Sequence, residues 1–276
     1  MLEVILPSKK FLEPCFGIKR SFDSCLSIKD KNKFLIYGQI AHNKALCERL
    51  ENEGFTSIDG LEKVKNKKVI IRAHGITKQD LDFLKQKKIE FINLTCPFVE
   101  KLLNISLKFE KDGYQVIIIG DKNHIEIKNV CSYLKSPLVV DNETDLKNSS
   151  FPKVAVLCQT TQTLEKIERV LPFIKRKYKK VVYVSTRCPE TEQRQKQAAI
   201  LAEKVDLMLV IGDTISKNAN NLVKISKKIT KAALVLQRED INKISFYGIK
   251  KVGLIASAST PSFVVDELIE FLKEKY

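Results

Sequence analysis

The 276-residue chain carries 48 Lys and Arg against 33 Asp and Glu, a formal charge of +15, and 44% hydrophobic residues. That length accommodates two or three compact units or one large α/β unit, and the apolar share excludes a disordered or fibrous chain. No apolar run approaches the roughly 20 residues of a bilayer span, and the start Met-Leu-Glu-Val-Ile-Leu-Pro lacks the basic residues of a secretory signal, so a soluble, cytoplasmic protein without a membrane partner is expected.

In chain order the hydrophobic pattern predicts a strand over Lys33–Tyr37, a helix over Lys44–Asn52, a strand over Lys68–Ile71, a helix over Lys78–Gln86, and a strand over Glu90–Leu94. A helix over Val99–Lys111 follows, then strands over Gln115–Ile119, Leu138–Val140 and Val154–Leu157, and a helix over Thr163–Tyr178. The last third alternates strands at Val181–Val184, Leu207–Ile211, Leu234–Leu236 and Val252–Ile255 with helices at Glu192–Lys204, Asn218–Lys228 and Pro261–Glu274. Alternation of this kind argues a parallel α/β architecture with helices on both faces.

Seven cysteines, at 15, 25, 47, 96, 131, 158 and 188, include no Cys-x-x-Cys and are too sparse for a disulfide scaffold. Cys15, Cys96 and Cys188 are separated by 81 and 92 residues, with 88 after the last. The spacing allows three similar α/β lobes, at 1–95, 96–187 and 188–276, with the N-terminal strand free to pack elsewhere. Cys25, Cys47 and Cys131 fall within helical stretches and read as core or surface thiols, while Cys158 lies nearer a strand end.

In parallel α/β sheets, ligands bind beyond the carboxyl ends of the strands. All three histidines, His42, His74 and His124, fall just past a predicted strand, as do Glu126, Thr160, Ser216, Asn218 and Ser259. One histidine there would be a loop or capping residue; three of three, with hydroxyls and amides beside them, describe a shared cleft. Imidazoles, hydroxyls and helix N-termini suit a phosphate or diphosphate. Neither G-x-G-x-x-G nor a Walker loop is present, which argues against a dinucleotide or ATP enzyme. Cys96 and Cys188, each followed by Pro, sit at strand-to-helix junctions; with Cys15 they could hold an iron–sulfur centre, they could bind zinc, or they could be buried structural thiols.

The lysines are spread over every segment, without a basic tail or an aromatic-interleaved ribbon, so dedicated nucleic-acid binding is not expected. The excess charge suits either a small anionic ligand or an acidic protein partner.

Taken in order, Cys15-Phe-Gly-Ile-Lys-Arg, His42-Asn43, Ala73-His74-Gly75, Thr95-Cys96-Pro97, His124-Ile-Glu126, Gln159-Thr160-Thr161, Cys188 with Thr191 and Arg194-Gln195, Ser216 with Asn218, and Ala258-Ser259-Thr260-Pro261 resemble the LytB/IspH family of 4-hydroxy-3-methylbut-2-enyl diphosphate reductases. The resemblance covers essentially the whole chain. It implies three α/β lobes in a cloverleaf around a central [4Fe–4S] cluster held by Cys15, Cys96 and Cys188. It also implies a diphosphate site of His42, His74, His124, Ser216, Asn218 and Ser259. Glu126 would deliver a proton, with Thr160 relaying it to the substrate hydroxyl. The implied reaction is a two-electron reductive dehydroxylation giving isopentenyl and dimethylallyl diphosphates, with an acidic ferredoxin or flavodoxin as electron donor. The chain departs from the family pattern at Glu13-Pro14, at Asn123 and Ile125, and at Lys217. Quinolinate synthase, a three-lobed enzyme with three cluster cysteines, is the alternative resemblance. It should lean on Arg, Ser and Tyr rather than on a histidine trio.

Overall fold

A computed structural model of the protein describes residues 2–41, 43–146 and 150–276. In chain order its strands are β1 (Glu3–Ile5), β2 (Phe34–Tyr37), β3 (Thr56–Ile58), β4 (Lys68–Ile71), β5 (Phe91–Asn93), β6 (Gln115–Ile119), β7 (Leu138–Val140), β8 (Lys153–Cys158), β9 (Lys180–Tyr183), β10 (Leu207–Ile211), β11 (Lys231–Val235) and β12 (Lys251–Ala256). The helices are α1 (Phe16–Leu26), α2 (Lys44–Asn52), α3 (Lys78–Gln86), α4 (Pro97–Lys111), α5 (Ile125–Cys131), α6 (Leu164–Lys177), α7 (Pro189–Ala202), α8 (Lys217–Lys227), α9 (Arg238–Asn242) and α10 (Ser262–Lys275).

Among the described residues every strand pairing is parallel, in three four-stranded sheets ordered β3-β2-β4-β5, β7-β6-β8-β9 and β11-β10-β12-β1. The three-lobed parallel α/β class expected from the sequence is therefore the one observed. Each sheet places its second strand at one edge and its first beside its third, so the winding reverses between the first and third strands. In the third sheet the fourth place is taken by β1, from the opposite end of the chain, with Glu3 in register with Lys251 and Ile5 with Gly253.

The chain divides into two compact units. One comprises Met1–Lys31, Gln39–Phe55 and Pro189–Tyr276, and holds the third sheet. Its central strand β10 is buried at all five positions. Leu207, Leu209 and Ile211 pack on Val265, Leu268 and Leu272 of α10. Met208 and Val210 face Ala198, Leu201 and Ala202 of α7 and Leu222 of α8. Alternate side chains of a strand point to opposite faces, so a strand covered on both sides needs an unbroken apolar run.

The other unit comprises Asn32–Gly38 and Thr56–Cys188 and holds the remaining two sheets. Val69 and Ile71 of β4 pack on Leu84 of α3. In the second sheet Ile117, Ile119 and Val156 pack on Ile167, Val170 and Ile174 of α6. Val116, Ile118 and Leu157 turn to Val99 and Leu102 of α4 and to Ile127 and Val130 of α5. Each such side chain contributes roughly 1.5–3 kcal/mol by leaving water.

Candidate active site

The topology sorts the chemistry-bearing residues. Cys15, Cys96 and Cys188 each stand immediately before the helix that follows the fourth strand of a sheet, namely α1 after β1, α4 after β5 and α7 after β9. His74, His124, Glu126, Thr160, Ser216, Asn218 and Ser259 follow first or third strands, where the winding reverses and a parallel sheet opens its crevice. His42, which comes after β2 in the sequence, lies outside the described residues.

In the unit that ends at Cys188, the central feature is a buried carboxyl. Glu126 lies in the first turn of α5 and is 2% exposed. Thr160, on the turn after β8, donates its N–H to Glu126 Oε1 at 2.9 Å and its hydroxyl to Oε2 at 2.6 Å. Burial raises the carboxyl pKa above its ordinary value, and the two Thr160 donors pull it partly back. The Thr160 carbonyl accepts from the Cys188 N–H at 2.8 Å, so one residue joins the acid to a cysteine.

His124 caps α5, its Nδ1 accepting the Glu126 N–H at 3.3 Å. With Nδ1 an acceptor, a neutral imidazole carries its hydrogen on Nε2, which makes that atom the donor for a ligand. The His74 ring lies edge-on to the His124 ring, centroids 5.9 Å apart. Its backbone is held by Asn129 Nδ2, which donates to the His74 carbonyl at 3.0 Å, and Gly75 makes the turn that follows at φ +82°.

Cys96 is tied through its N–H to the Ala73 carbonyl at 2.9 Å, and Pro97 opens α4. Burial raises its thiol pKa; the Phe98 N–H opposes this, the Cys188 charge adds to it, the Val99 N–H opposes it and Glu126 adds to it. Cys96, Cys188 and Glu126 thus share one electrostatic environment. Cys25 and Cys131 differ: burial alone pushes their thiols up to about 12 and about 11, Cys25 being fully buried and Cys131 partly so.

In the other unit, Ser216 caps α8 by accepting the Ala219 N–H at 3.3 Å. Asn218 in the first turn is buried, and among the described residues neither its Oδ1 nor its Nδ2 finds a hydrogen-bond partner. Buried amides without partners are costly, so such a group marks a place where an outside polar ligand belongs. Asn43 repeats the pattern: its Oδ1 caps α2 through Leu46 N–H at 3.0 Å, and its buried Nδ2 has no partner among the described residues. Ser259 follows β12 beside Ser257 and Thr260, whose hydroxyls lie 3.0 Å apart, with Thr260 donating to the Ile211 carbonyl at 2.7 Å. A Cβ on Gly212 would stand 2.8 Å from both Ala219 Cβ and Ser257 Oγ, so only glycine lets the β10 and β12 exits approach this closely.

Cys15 belongs to this same unit. Its N–H donates to the Ala258 carbonyl at 2.9 Å, a bond that the preceding Pro14 leaves intact. Phe16 N–H donates to Glu190 Oε2 at 2.9 Å, two residues past Cys188 in the chain. Among the described residues no three His, Cys, Asp or Glu side chains are gathered as a set able to hold a metal ion. Among the described residues no two cysteines form a disulfide. The donor chemistry suits iron: three thiols, each just ahead of a helix, are the soft ligands that an iron–sulfur centre takes.

The family model described as LytB protein matches residues 10–273. The chain belongs to the LytB family. A 4-hydroxy-3-methylbut-2-enyl diphosphate reductase of Campylobacter lari is 38% identical over 265 residues, covering 94% of each chain. One from Helicobacter pylori is 36% identical over 260 residues, covering 92% of this chain and 93% of the relative. Among solved structures, the E-1-hydroxy-2-methyl-but-2-enyl-4-diphosphate reductase of Plasmodium falciparum superposes with a TM-score of 0.91 at 27% identity, over 99% of this chain and 88% of the other. A second, the (E)-4-hydroxy-3-methyl-but-2-enyl diphosphate reductase described as the terminal enzyme of the non-mevalonate pathway, gives 0.73 at 30% identity over 99% and 100%. As a LytB-family member the chain is an oxidoreductase with an iron–sulfur centre, which sets aside the quinolinate synthase alternative.

Sequence reading missed three features of this LytB-family chain. The Asn43 amide stands out only as a neighbour of His42, Glu190 lies just ahead of the expected Glu192–Lys204 helix with no motif to mark it, and β1 has no signal tying it to β12. Among the described residues no helix is long and apolar enough to cross a membrane.

Proposed function

We propose that this chain is a 4-hydroxy-3-methylbut-2-enyl diphosphate reductase of the cytoplasm, converting that allylic alcohol to isopentenyl and dimethylallyl diphosphates. Two electrons and two protons enter, the C4–O bond breaks, water leaves and one proton ends on carbon. A [4Fe–4S] cluster held by Cys15, Cys96 and Cys188 would supply the electrons and a Lewis-acidic iron for the hydroxyl oxygen. An acidic ferredoxin or flavodoxin is the donor that a chain of charge +15 would attract.

The chain's own residues supply the rest. Hydroxide is a poor leaving group, so a proton must reach it as the bond breaks. Glu126, buried and with a raised pKa, holds that proton, and Thr160 Oγ1, 2.6 Å from Oε2, passes it on while giving up its own hydrogen. His124 Nε2 and the His74 ring face the anionic end of the substrate, with His42, Ser216, Asn218 and Ser259 as the remaining diphosphate contacts. Fixing the diphosphate fixes the carbon skeleton relative to the acid.

The observation that carries this reading is the two-point grip of Thr160 on a carboxyl that shares its electrostatic environment with Cys96 and Cys188. The test is turnover of the allylic diphosphate under a strong reductant, with both isomeric products quantified. Wild-type protein should form both, and Glu126→Gln should bind substrate yet lose at least about 100-fold in kcat. Normal turnover by that variant would remove Glu126 as the proton source.

A further inference from the structure

The most deeply buried charged residue near Cys15 has no role in the reaction just described. Arg194, on α7, is 2% exposed. Its Nη1 donates to the Phe11 carbonyl at 2.8 Å and the Ala256 carbonyl at 2.7 Å. Its Nη2 donates to the Lys10 carbonyl at 3.1 Å and the Glu13 carbonyl at 2.9 Å. The guanidinium carbon also lies 5.9 Å from the centre of the Phe11 ring.

Three of those carbonyls belong to the segment that delivers Cys15, and the fourth ends β12, just before the turn carrying Ser259. The segment from 6 to 15 has only one three-residue helical turn, at Lys9–Phe11, and no strand partner of its own. Without external ties it would be the loosest approach to any of the three proposed cysteines. Cys96 comes three residues after the end of β5 and Cys188 five after the end of β9, whereas Cys15 comes ten residues after β1. Burying a cation is expensive, and four carbonyls on one rigid fork are an arrangement that lysine's single point charge cannot reproduce.

We infer that Arg194 is a positioning residue for Cys15: it clamps residues 10–13 to the exit of β12 and so fixes where the Cys15 sulfur stands for iron. This rests on Cys15 being a cluster ligand, as proposed above. The Cys15 N–H bond to Ala258 and the Phe16 N–H bond to Glu190 then complete the set of ties around that sulfur.

The test is the rate of iron release to a chelator from the anaerobically reconstituted protein, measured for wild type, Arg194→Lys, Cys15→Ser and the double variant. Val265→Ala, in the core on the other face of the same sheet, is the stability control. Arg194→Lys should release iron about tenfold faster than wild type, and faster than the control at equal loss of Tm. In the Cys15→Ser background the same substitution should add nothing, because both act through one sulfur. Release by Arg194→Lys no faster than the control, with Cys15→Ser impaired, overturns the clamp alone. Normal iron retention by Cys15→Ser overturns the ligand reading and the clamp with it. Arg194→Gln is read in the same way should the lysine variant not fold.

Discussion

Thr160 donates to both oxygens of Glu126, through its N–H to Oε1 at 2.9 Å and through its hydroxyl to Oε2 at 2.6 Å. One residue thereby fixes the plane of the carboxyl. Thr160→Val keeps the shape and the N–H bond but removes the hydroxyl. Activity should fall by about 10- to 100-fold in kcat with little change in KM. Because the lost hydroxyl had been lowering the Glu126 pKa, the alkaline limb of the kcat profile should move to higher pH. Thr160→Ser should restore both. A valine variant with an unshifted limb would show that the hydroxyl does not act on the carboxyl.

The same burial makes stability depend on pH in a defined direction. Below the ordinary carboxyl value of 4.5, Glu126 is protonated in folded and unfolded chains alike and its burial penalty is absent. As pH rises above that value the unfolded chain releases the proton first, because the folded carboxyl has the raised pKa. Stability should therefore decline until the folded group ionises too, and then level off. Denaturant unfolding of wild type and Glu126→Gln across this range isolates the effect: the difference between the two curves should favour the glutamine variant increasingly as pH rises. A difference independent of pH would place the Glu126 pKa at its ordinary value.

Much of this fold is legible in the residues, and the gaps have physical causes. The run Leu207–Ile211 reads as a strand because both of its faces are covered, whereas Thr56–Ile58 exposes two of its three residues and offers no apolar pattern. Strand β11 spans Lys231–Val235, earlier than the expected Leu234–Leu236, because its pairing with β10 begins at Lys231 rather than at the most apolar residue. The five-residue α9 is held by the reciprocal cap of Gln237 and Asp240 rather than by periodicity. Pairing of β1 with β12 joins residues about 250 apart, which no local pattern encodes. The proposed site residues are easier to pick out than the fold's edges, since polar residues just past apolar strands stand out. Arg194 enters the resemblance only as part of Arg194-Gln195, because the four backbone carbonyls it meets come from segments far apart in the chain that no local pattern joins.

His124 caps α5 and is also the proposed ligand donor, and two substitutions separate these roles. His124→Ala removes the acceptor for the Glu126 N–H and should lower stability by about 1 kcal/mol while raising the substrate KM. Asparagine is a good capping residue, so His124→Asn should recover the lost Tm. It should leave KM raised, because the Nε2 donor on the far side of the ring is still missing. Thermal unfolding paired with substrate titration reads both at once. Recovery of affinity along with Tm would mean the imidazole acts only through the cap.

Asn218 presents the opposite relation between stability and function. Both polar atoms of its amide are buried and lack hydrogen-bond partners among the described residues, although the helix it sits on is capped by Ser216. An unsatisfied buried polar group opposes folding by about 1–3 kcal/mol, and a ligand that supplies the missing bonds recovers that energy on binding. Asn218→Leu, matched in branching and heavy-atom count and without polar atoms, should therefore leave the ligand-free protein as stable as wild type or more so. The same variant should bind the diphosphate substrate at least about tenfold more weakly, since an anion needs the Nδ2 donor and gains nothing from a methyl group. Added substrate should raise the Tm of the wild type and move that of the variant much less. If the leucine variant is instead destabilised with affinity unchanged, Asn218 holds α8 in place and does not touch the substrate.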